Sequence, residues 1–572
     1  MVIIMKKNVL SVFAALSYLA GCLLFIYAFP SWIPALYLVS IALYAFSAGA
    51  ITWLYAAKKP LMKAFICGGV YYAAFYGVTF LINNIIFKKI YNVWTTVIVV
   101  LLSGLFFVLY YSCITHRKQK HNALATCALI LSALPIIVYF VGIGLPFHGE
   151  VKSVVGTSNQ NPITATPREH RFDTDRLLFG VYCLPKDEKY ETLRGWLKEA
   201  GIDFYVGASG EDLSKEDLDW LANNDMGVIV HNTDYYRSAD HPAIWGIDLK
   251  DEPNADEFED LAAQVKTLYA EAPDRFPMIN LYPIYASVNG LGRTARGPLV
   301  FENTKIDAMN KTIIPYRMHV NDYICAVDSD IISVDIYPLQ VEKDSGRLFT
   351  LKYWLRNLDI LADACRATGR ELWVITQAAG NTMEEGGMQR HCDTVEDQRW
   401  QNWVSLSFGA KSIIYACYYT GWWDGDSHMI DNSGSRTDTY YAVQKATEEM
   451  KTFSDVYGGY ENHGAVIYNE SEAAGGGTGL VEVDDAFKPQ LETSDAILCG
   501  CFTEKNGNGK AFVFTNMYEP QTGKEASFSA TFPGAKTITV YIDGEKTEIE
   551  GEKLDLTLAS CDGAFVTVDY AS

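Results

Sequence analysis

Between residues 176 and 418 eight short apolar runs recur, most of them separated by segments of helical periodicity. This alternation constrains the fold more than any other feature of the chain. The runs are 177–184 (LLFGVYCL), 202–207 (IDFYVG), 226–231 (MGVIVH), 244–249 (IWGIDL), 276–282 (FPMINLY), 331–337 (IISVDIY), 372–376 (LWVIT) and 410–418 (AKSIIYACY). Near-continuous apolar stretches rich in Val, Ile and aromatics are the mark of parallel strands buried on both faces. KYETLRGWLKEA follows the first run with apolar residues at helical spacing. Ser214 with Glu216 and Asp217 signals a second helix start, and Asn254 caps a segment at 256–270. Further helical stretches lie at 351–367 and 395–408. Eight strands alternating with helices over about 240 residues match a (β/α)8 TIM barrel, placed here at 175–458. An open doubly wound sheet would carry a glycine-rich phosphate loop after a strand, and neither GxGxxG nor GxxxxGK[ST] occurs. The stretch 283–318 reads as an insertion after the fifth strand.

The pattern changes on both sides of the barrel. After residue 458, short strand-like runs at 465–468, 496–502, 510–516, 526–532, 537–542 and 564–570 are parted by turns such as NGNG and DGEK. They predict an all-β sandwich over 459–572 without a catalytic constellation. Before the barrel, five apolar runs at 9–28, 33–56, 64–87, 93–114 and 123–145 are long enough to span a bilayer. They predict an all-α transmembrane region over 1–146, followed by a polar linker at 147–174. Eight of the ten cations in residues 1–150 fall on one side of these runs, which places the N-terminus in the cytoplasm and the barrel outside. The expectation is a multi-pass cell-membrane protein, with the lipid bilayer as one partner and the barrel and β domain extracellular. No Asp or Glu lies within the runs, so they read as an anchor and not as an ion pathway. Residues 1–150 carry +9 and the remainder −30 of the net −21. A strongly acidic remainder argues against nucleic acid as a partner. The 12 cysteines show no CxxC spacing and read as mostly reduced.

Chemistry-bearing residues gather where the runs end. IWGIDLKDEP at 244–253 leaves its apolar part in two adjacent carboxylates, Asp251 and Glu252, and a proline. That is the carboxyl end of a strand, the face on which barrel enzymes assemble their sites. His231 and Asn232 end the third run, Asn280 and Tyr282 the fifth, and Asp335 and Tyr337 the sixth. Gln377 and Asn381 end the seventh, and Tyr419, Trp422, Trp423, Asp424 and Asp426 follow the eighth. Carboxylates supply acid–base chemistry and aromatic rings offer flat apolar faces, a mixture suited to a neutral, hydroxyl-rich ligand. His231, His241, His391 and His428 lack metal-ligand spacing, so neither a metal nor a cofactor is expected.

At these residues the chain resembles the clan A glycoside hydrolases, the (β/α)8 group of cellulases and β-galactosidases. The resemblance covers about 176–458. In that clan the fourth strand ends in Asn-Glu, often Asn-Glu-Pro, with the Glu as general acid/base; here it is Asp251-Glu252-Pro253. His231, Tyr337 and Trp422 or Trp423 match further positions of the pattern. The resemblance implies a glycosidase acting on an oligo- or polysaccharide, with Glu252 as general acid/base. Asp251, His231, Asn232, Asn280, Tyr282, Tyr337, Gln377 and Asp424 would bind sugar, and the tryptophans would stack on a ring. One departure stands out. The clan places a nucleophilic Glu at the end of the seventh strand, and this chain has Gln377 there. Three readings stay open. Asp335 or a loop acid (Glu384, Glu385, Asp424, Asp426) supplies the second carboxylate, with Asp335 the first choice. Alternatively the cleft is a non-catalytic glycan-binding or sensor site. Or the seventh-strand alignment is displaced by a few residues.

Overall fold

The computed structural model describes residues 172, 174–207, 212–287, 290–292, 308–342, 345–380, 392–419, 425–477 and 479–570. The first strands in chain order are β1 (Leu178–Tyr182), β2 (Phe204–Val206), β3 (Gly227–His231), β4 (Ile244–Asp251), β5 (Phe276–Leu281) and β6 (Ile331–Asp335). A small hairpin, β7 (Leu339–Val341) and β8 (Leu348–Thr350), precedes β9 (Glu371–Gln377) and β10 (Ala410–Ala416). Apart from the hairpin, these strands pair in parallel and close into a barrel in the order β1-β10-β9-β6-β5-β4-β3-β2. They are the eight apolar runs, so the expected TIM-like barrel is present. Helices α1 (Tyr190–Glu199), α2 (Lys215–Asn223), α3 (Asp234–Ser238), α4 (Phe258–Glu271), α5 (Ala308–Ala326), α6 (Trp354–Thr368) and α7 (Val395–Ser407) follow in turn, then α8 (Asp438–Lys451) and α9 (Ser454–Gly458). At α2 the Ser214 hydroxyl accepts from the Asp217 N–H while the Asp217 carboxylate accepts from the Ser214 N–H, a reciprocal cap that fixes where the helix begins.

The two-residue period of a strand decides what fills the barrel. Phe204, Phe276, Met278, Trp373, Ile375 and Ile414 interdigitate in its interior. Phe204 and Phe276 each lie 5.2 Å from the Trp373 ring, centre to centre. Phe172 closes the amino-terminal end, 4.5 Å from Phe276. There the Thr174 N–H and hydroxyl both donate to the buried Glu371 carboxylate. Rings this large need bare backbone beside them. A Cβ on Gly227 would stand 2.1 Å from the Trp245 indole, and one on Gly246 would stand 2.7 Å from the Phe276 ring and 2.8 Å from its carbonyl oxygen. Gly246 therefore lets β4 approach β5 closely. Gly246→Ala is expected to cost about 1–3 kcal/mol through overpacking, read as a lowered urea midpoint at constant m-value.

Downstream, β11 (Tyr460–Tyr468), β12 (Gln490–Glu492), β13 (Ile497–Glu504), β14 (Lys510–Asn516), β15 (Ala526–Thr531), β16 (Ala535–Ile542), β17 (Glu545–Glu550), β18 (Lys553–Leu558) and β19 (Gly563–Tyr570) form two antiparallel sheets. A six-stranded sheet, β11-β13-β14-β19-β16-β17, faces a three-stranded one, β12-β15-β18. Phe512 packs on Phe532 at 5.1 Å and Phe514 on Phe528 at 4.4 Å across the gap. Helix α7 lies between barrel and sheet. The Trp400 indole N–H donates to the Asn516 carbonyl at 2.8 Å. The backbone at Gly500 comes so close that a Cβ there would stand 2.3 Å from the Ser407 carbonyl oxygen. Strand β17 escapes the hydrophobic pattern because its residues, EKTEIE, are largely charged and exposed, whereas β18, KLDLTL, alternates leucines with polar residues.

The expected all-α transmembrane region is corrected here. Among the described residues no helix is long and apolar enough to cross a membrane. The longest, α5, has 19 residues but includes Pro315, Arg317, Asn321 and Asp322; helices around a barrel need only one apolar face. The five apolar runs at 9–28, 33–56, 64–87, 93–114 and 123–145 lie outside the described residues. The multi-pass cell-membrane placement, the extracellular side assigned to the barrel and the bilayer as a partner all rested on those runs, and they are withdrawn.

Candidate active site

The inward rows of the barrel end in polar groups at its carboxyl-terminal mouth. Phe276 and Met278 lead on β5 to Asn280, Ile331 and Ser333 lead on β6 to Asp335, and Trp373 and Ile375 lead on β9 to Gln377. Asn280 joins two carboxylates. Its Nδ2 donates to Asp251 Oδ1 at 3.0 Å and to Asp335 Oδ1 at 2.8 Å, while its Oδ1 accepts from the Ser333 hydroxyl. The Tyr337 hydroxyl also bonds to Asp335.

Strand β4 reaches this group by departing twice from regular geometry. Its register with β5 shifts between Asp248 and Lys250. A bulge of this kind re-aims the side chains that follow it. Asp248 and Asp251, which would face opposite ways on a regular strand, thus both come within electrostatic reach of the Tyr182 hydroxyl. One residue on, Glu252 has φ 45°, the left-handed region that a glutamate rarely occupies. Its N–H still donates to the Asn280 carbonyl at 2.8 Å, so the kink is held by the barrel ladder. The kink breaks the alternation that would otherwise send Asp251 and Glu252 to opposite faces.

Three of these carboxyls are shifted upward. Burial, then the negative charges of Asp335 and Asp251, pushes Glu252 up to about 7. Burial pushes Asp335 up to about 6, opposed by its Asn280 hydrogen bond and assisted by the charge on Asp251. Asp248 is likewise raised to about 6, by burial and then by Asp251. Lys250, the cation of the same strand, is committed to Glu257 at 2.9 Å. Tyr182, Tyr285, Tyr316 and Tyr337 surround Asp335, their phenols raised first by burial and further by its charge.

Of the residues singled out from sequence, Asp251, Glu252, Asn280, Asp335 and Tyr337 meet in this cluster, and Tyr282 lies within electrostatic reach of Glu252. His231 ends β3 on the exposed rim, its backbone in register with Asp248. Two candidates are turned to other tasks. The Asn232 side chain accepts from Arg237 on α3. Gln377, fully buried, accepts from the Leu339 N–H and donates to the Leu339 carbonyl, both at 3.1 Å. Trp422, Trp423 and Asp424, with Asn381, Glu384 and Glu385, lie outside the described residues. Asp248, Tyr182, Tyr285 and Tyr316 were not singled out from sequence. An acid inside the apolar run IWGIDL was the one available signal, for Asp248. Among the described residues no group of three or more His, Cys, Asp or Glu is placed to hold a metal ion.

Comparison with known proteins finds no family model and no curated protein that matches the chain. Solved structures do align with it. A β-galactosidase from the Antarctic haloarchaeon Halorubrum lacusprofundi aligns at 12% identity and TM-score 0.29, over 48% of this chain and 58% of that one. A β-galactosidase from Bacillus circulans sp. alkalophilus aligns at 9% identity and TM-score 0.38, over 72% of this chain and 100% of that one. An α-L-arabinofuranosidase from Thermotoga maritima aligns at 8% identity and TM-score 0.37, over 69% of this chain and 96% of that one.

Proposed function

We propose that the chain is a glycosidase that hydrolyses O-glycosyl bonds of an oligo- or polysaccharide. Glu252 is the general acid/base and Asp335 the second carboxylate. The observation that carries this reading is the half-buried Glu252 at the barrel mouth, raised to about 7 beside two further acids. A carboxyl raised to about 7 keeps its proton in about half of the molecules at neutral pH, as the protonation of a glycosidic oxygen requires. Asp251, His231 and Tyr282 at the rim would hold sugar hydroxyls, with Asn280 and Tyr337 behind them; Trp422, Trp423 and Asp424, which lie outside the described residues, are further candidates for sugar contacts. A second reading is favoured by one observation, Gln377 in place of a seventh-strand carboxylate: the cleft binds a glycan without turnover. The purified full-length chain, assayed against aryl glycosides and oligosaccharides, separates the two. Turnover above the uncatalysed rate is expected. Glycan binding without turnover would establish the second reading instead.

A further inference from the structure

Asn280 is the last inward residue of β5, and β5 lies between β4 and β6 in the barrel. Its buried side chain therefore stands between Asp251 at the end of β4 and Asp335 at the end of β6. One nitrogen serves both. The two hydrogens of Nδ2 go to Asp251 Oδ1 at 3.0 Å and to Asp335 Oδ1 at 2.8 Å. The carbonyl oxygen accepts from the Ser333 hydroxyl at 3.2 Å. The chemistry fixes this orientation, because the reverse would set that oxygen against two groups that only accept when ionised. With both hydrogens engaged, the amide has no N–H to offer a sugar hydroxyl. Two carboxylates hydrogen-bonded to one nitrogen are close enough for each charge to oppose the other, and the shared donor offsets part of that repulsion.

Resting on the glycosidase reading, we propose that Asn280 is a positioning residue, whose amide binds Asp251 and Asp335 into one unit and keeps Asp335 ionised beside the protonated Glu252. The other ionisable groups around Asp335 come from every side of the mouth. Strand β4 brings Asp251 and Glu252, with Asp248 beside Asp251. Tyr182 ends β1, Tyr285 follows β5, Tyr316 lies on α5 and Tyr337 follows β6. From β10 the Cys417 thiol is within electrostatic reach of Tyr337, and β9 ends in the neutral Gln377 amide. None of these groups is a cation. The Tyr337 hydroxyl also bonds to Asp335, but it is Asn280 that joins Asp335 to a second acid. Burial drives Asp335 up, and the Asn280 hydrogen bond is the first influence that holds it back. After burial, the charges on Asp335 and Asp251 are what raise Glu252. The Asn280 side chain thus acts on Glu252 through two carboxylates, while its backbone carbonyl accepts from the Glu252 N–H at 2.8 Å.

The test follows kcat and KM against pH for the full-length chain on the aryl glycosides and oligosaccharides that the wild type cleaves, beside Asn280→Ala and Ser333→Ala. Without the Asn280 amide Asp335 loses a donor to its charged form, so the acid limb is expected to move to higher pH by about one unit or more. At pH 6 this leaves about a tenth or less of the wild-type kcat, with KM changed by less than about 3-fold. Ser333→Ala alters neither carboxylate but frees the amide to turn, and is expected to move the same limb in the same direction by less. Circular dichroism reports the fold, and if Asn280→Ala does not fold, the direction of the shift in Ser333→Ala decides. A raised KM with an unmoved acid limb would make Asn280 a sugar ligand; that result, or a lowered kcat with the limb unmoved in both variants, overturns the inference and leaves the glycosidase reading standing. No turnover by the wild type on any of these substrates overturns both.

Discussion

If Glu252 is the general acid, Glu252→Gln is expected to lower kcat/KM for glycosides with poor leaving groups by about 10²–10⁴-fold, the range that a positioned general acid contributes. Dinitrophenyl glycosides, whose leaving group needs no proton, lose much less. The fold is expected to survive, because the bond that anchors this residue to β5 comes from its backbone N–H and not from its carboxyl. The pH profile supplies a second readout. Burial and two neighbouring acids raise Glu252 to about 7, so wild-type activity is expected to fall as pH rises through about 7 and the acid loses its proton. Asp335, raised to about 6 chiefly by burial, must be ionised to act, so activity falls as pH drops through about 6. The result is a narrow bell, whose limbs belong to the interacting pair and not to either residue alone. In Glu252→Gln the alkaline limb disappears. An unchanged kcat/KM on poor leaving groups would remove Glu252 from the mechanism.

Gln377→Glu is expected to destabilise the chain and to leave it less active. The change installs the carboxylate that the clan A pattern carries on the seventh strand, so a simple count of catalytic groups would predict a gain. The local structure predicts the reverse. The amide of Gln377 is fully buried and is matched to the Leu339 backbone as both donor and acceptor. A carboxylate keeps the acceptor half but turns an oxygen lone pair toward the Leu339 carbonyl, leaving a buried charge without compensation. Losses of that kind cost about 3–5 kcal/mol. The sign with pH follows from burial. The new carboxyl has a higher pKa folded than unfolded, so its penalty is largest above the folded pKa. The penalty shrinks as pH falls and the neutral acid can donate to the carbonyl again. Urea unfolding at two pH values reads this difference. Equal stability together with raised turnover would show that Gln377 is a displaced nucleophile position after all.

Much of the site was legible because a strand has a period of two. Asn280, Asp335 and Gln377 are each the last inward residue of their rows, and a polar residue ending an apolar run at the carboxyl face announces itself. Asp248 was hidden by the register shift that follows it. Counting by twos sets Asp248 and Asp251 on opposite faces, and only the bulge reunites them. Tyr285 and Tyr316 belong to the region after β5, where no periodicity ties them to the mouth. The role of Gln377 was illegible for another reason: its identity showed in sequence, but its partner, the backbone of Leu339, is a tertiary contact. The five long apolar runs before residue 146 lie outside the described residues, and their length and hydropathy alone do not carry a membrane placement.

Helix α7 has a consequence for how this chain can be cut and recombined. Ten of its 13 residues are buried, with one side against β9 and β10 and the other, through Trp400, Trp403 and Ser407, against the downstream sheet. A helix enclosed from both directions leaves neither neighbour a finished surface of its own. The barrel and the sheet beyond it are therefore expected to be lost together in a single melting transition. The sheet is not expected to be exchangeable as an appended module, because removing it exposes the buried face of the helix that covers the barrel's last strands.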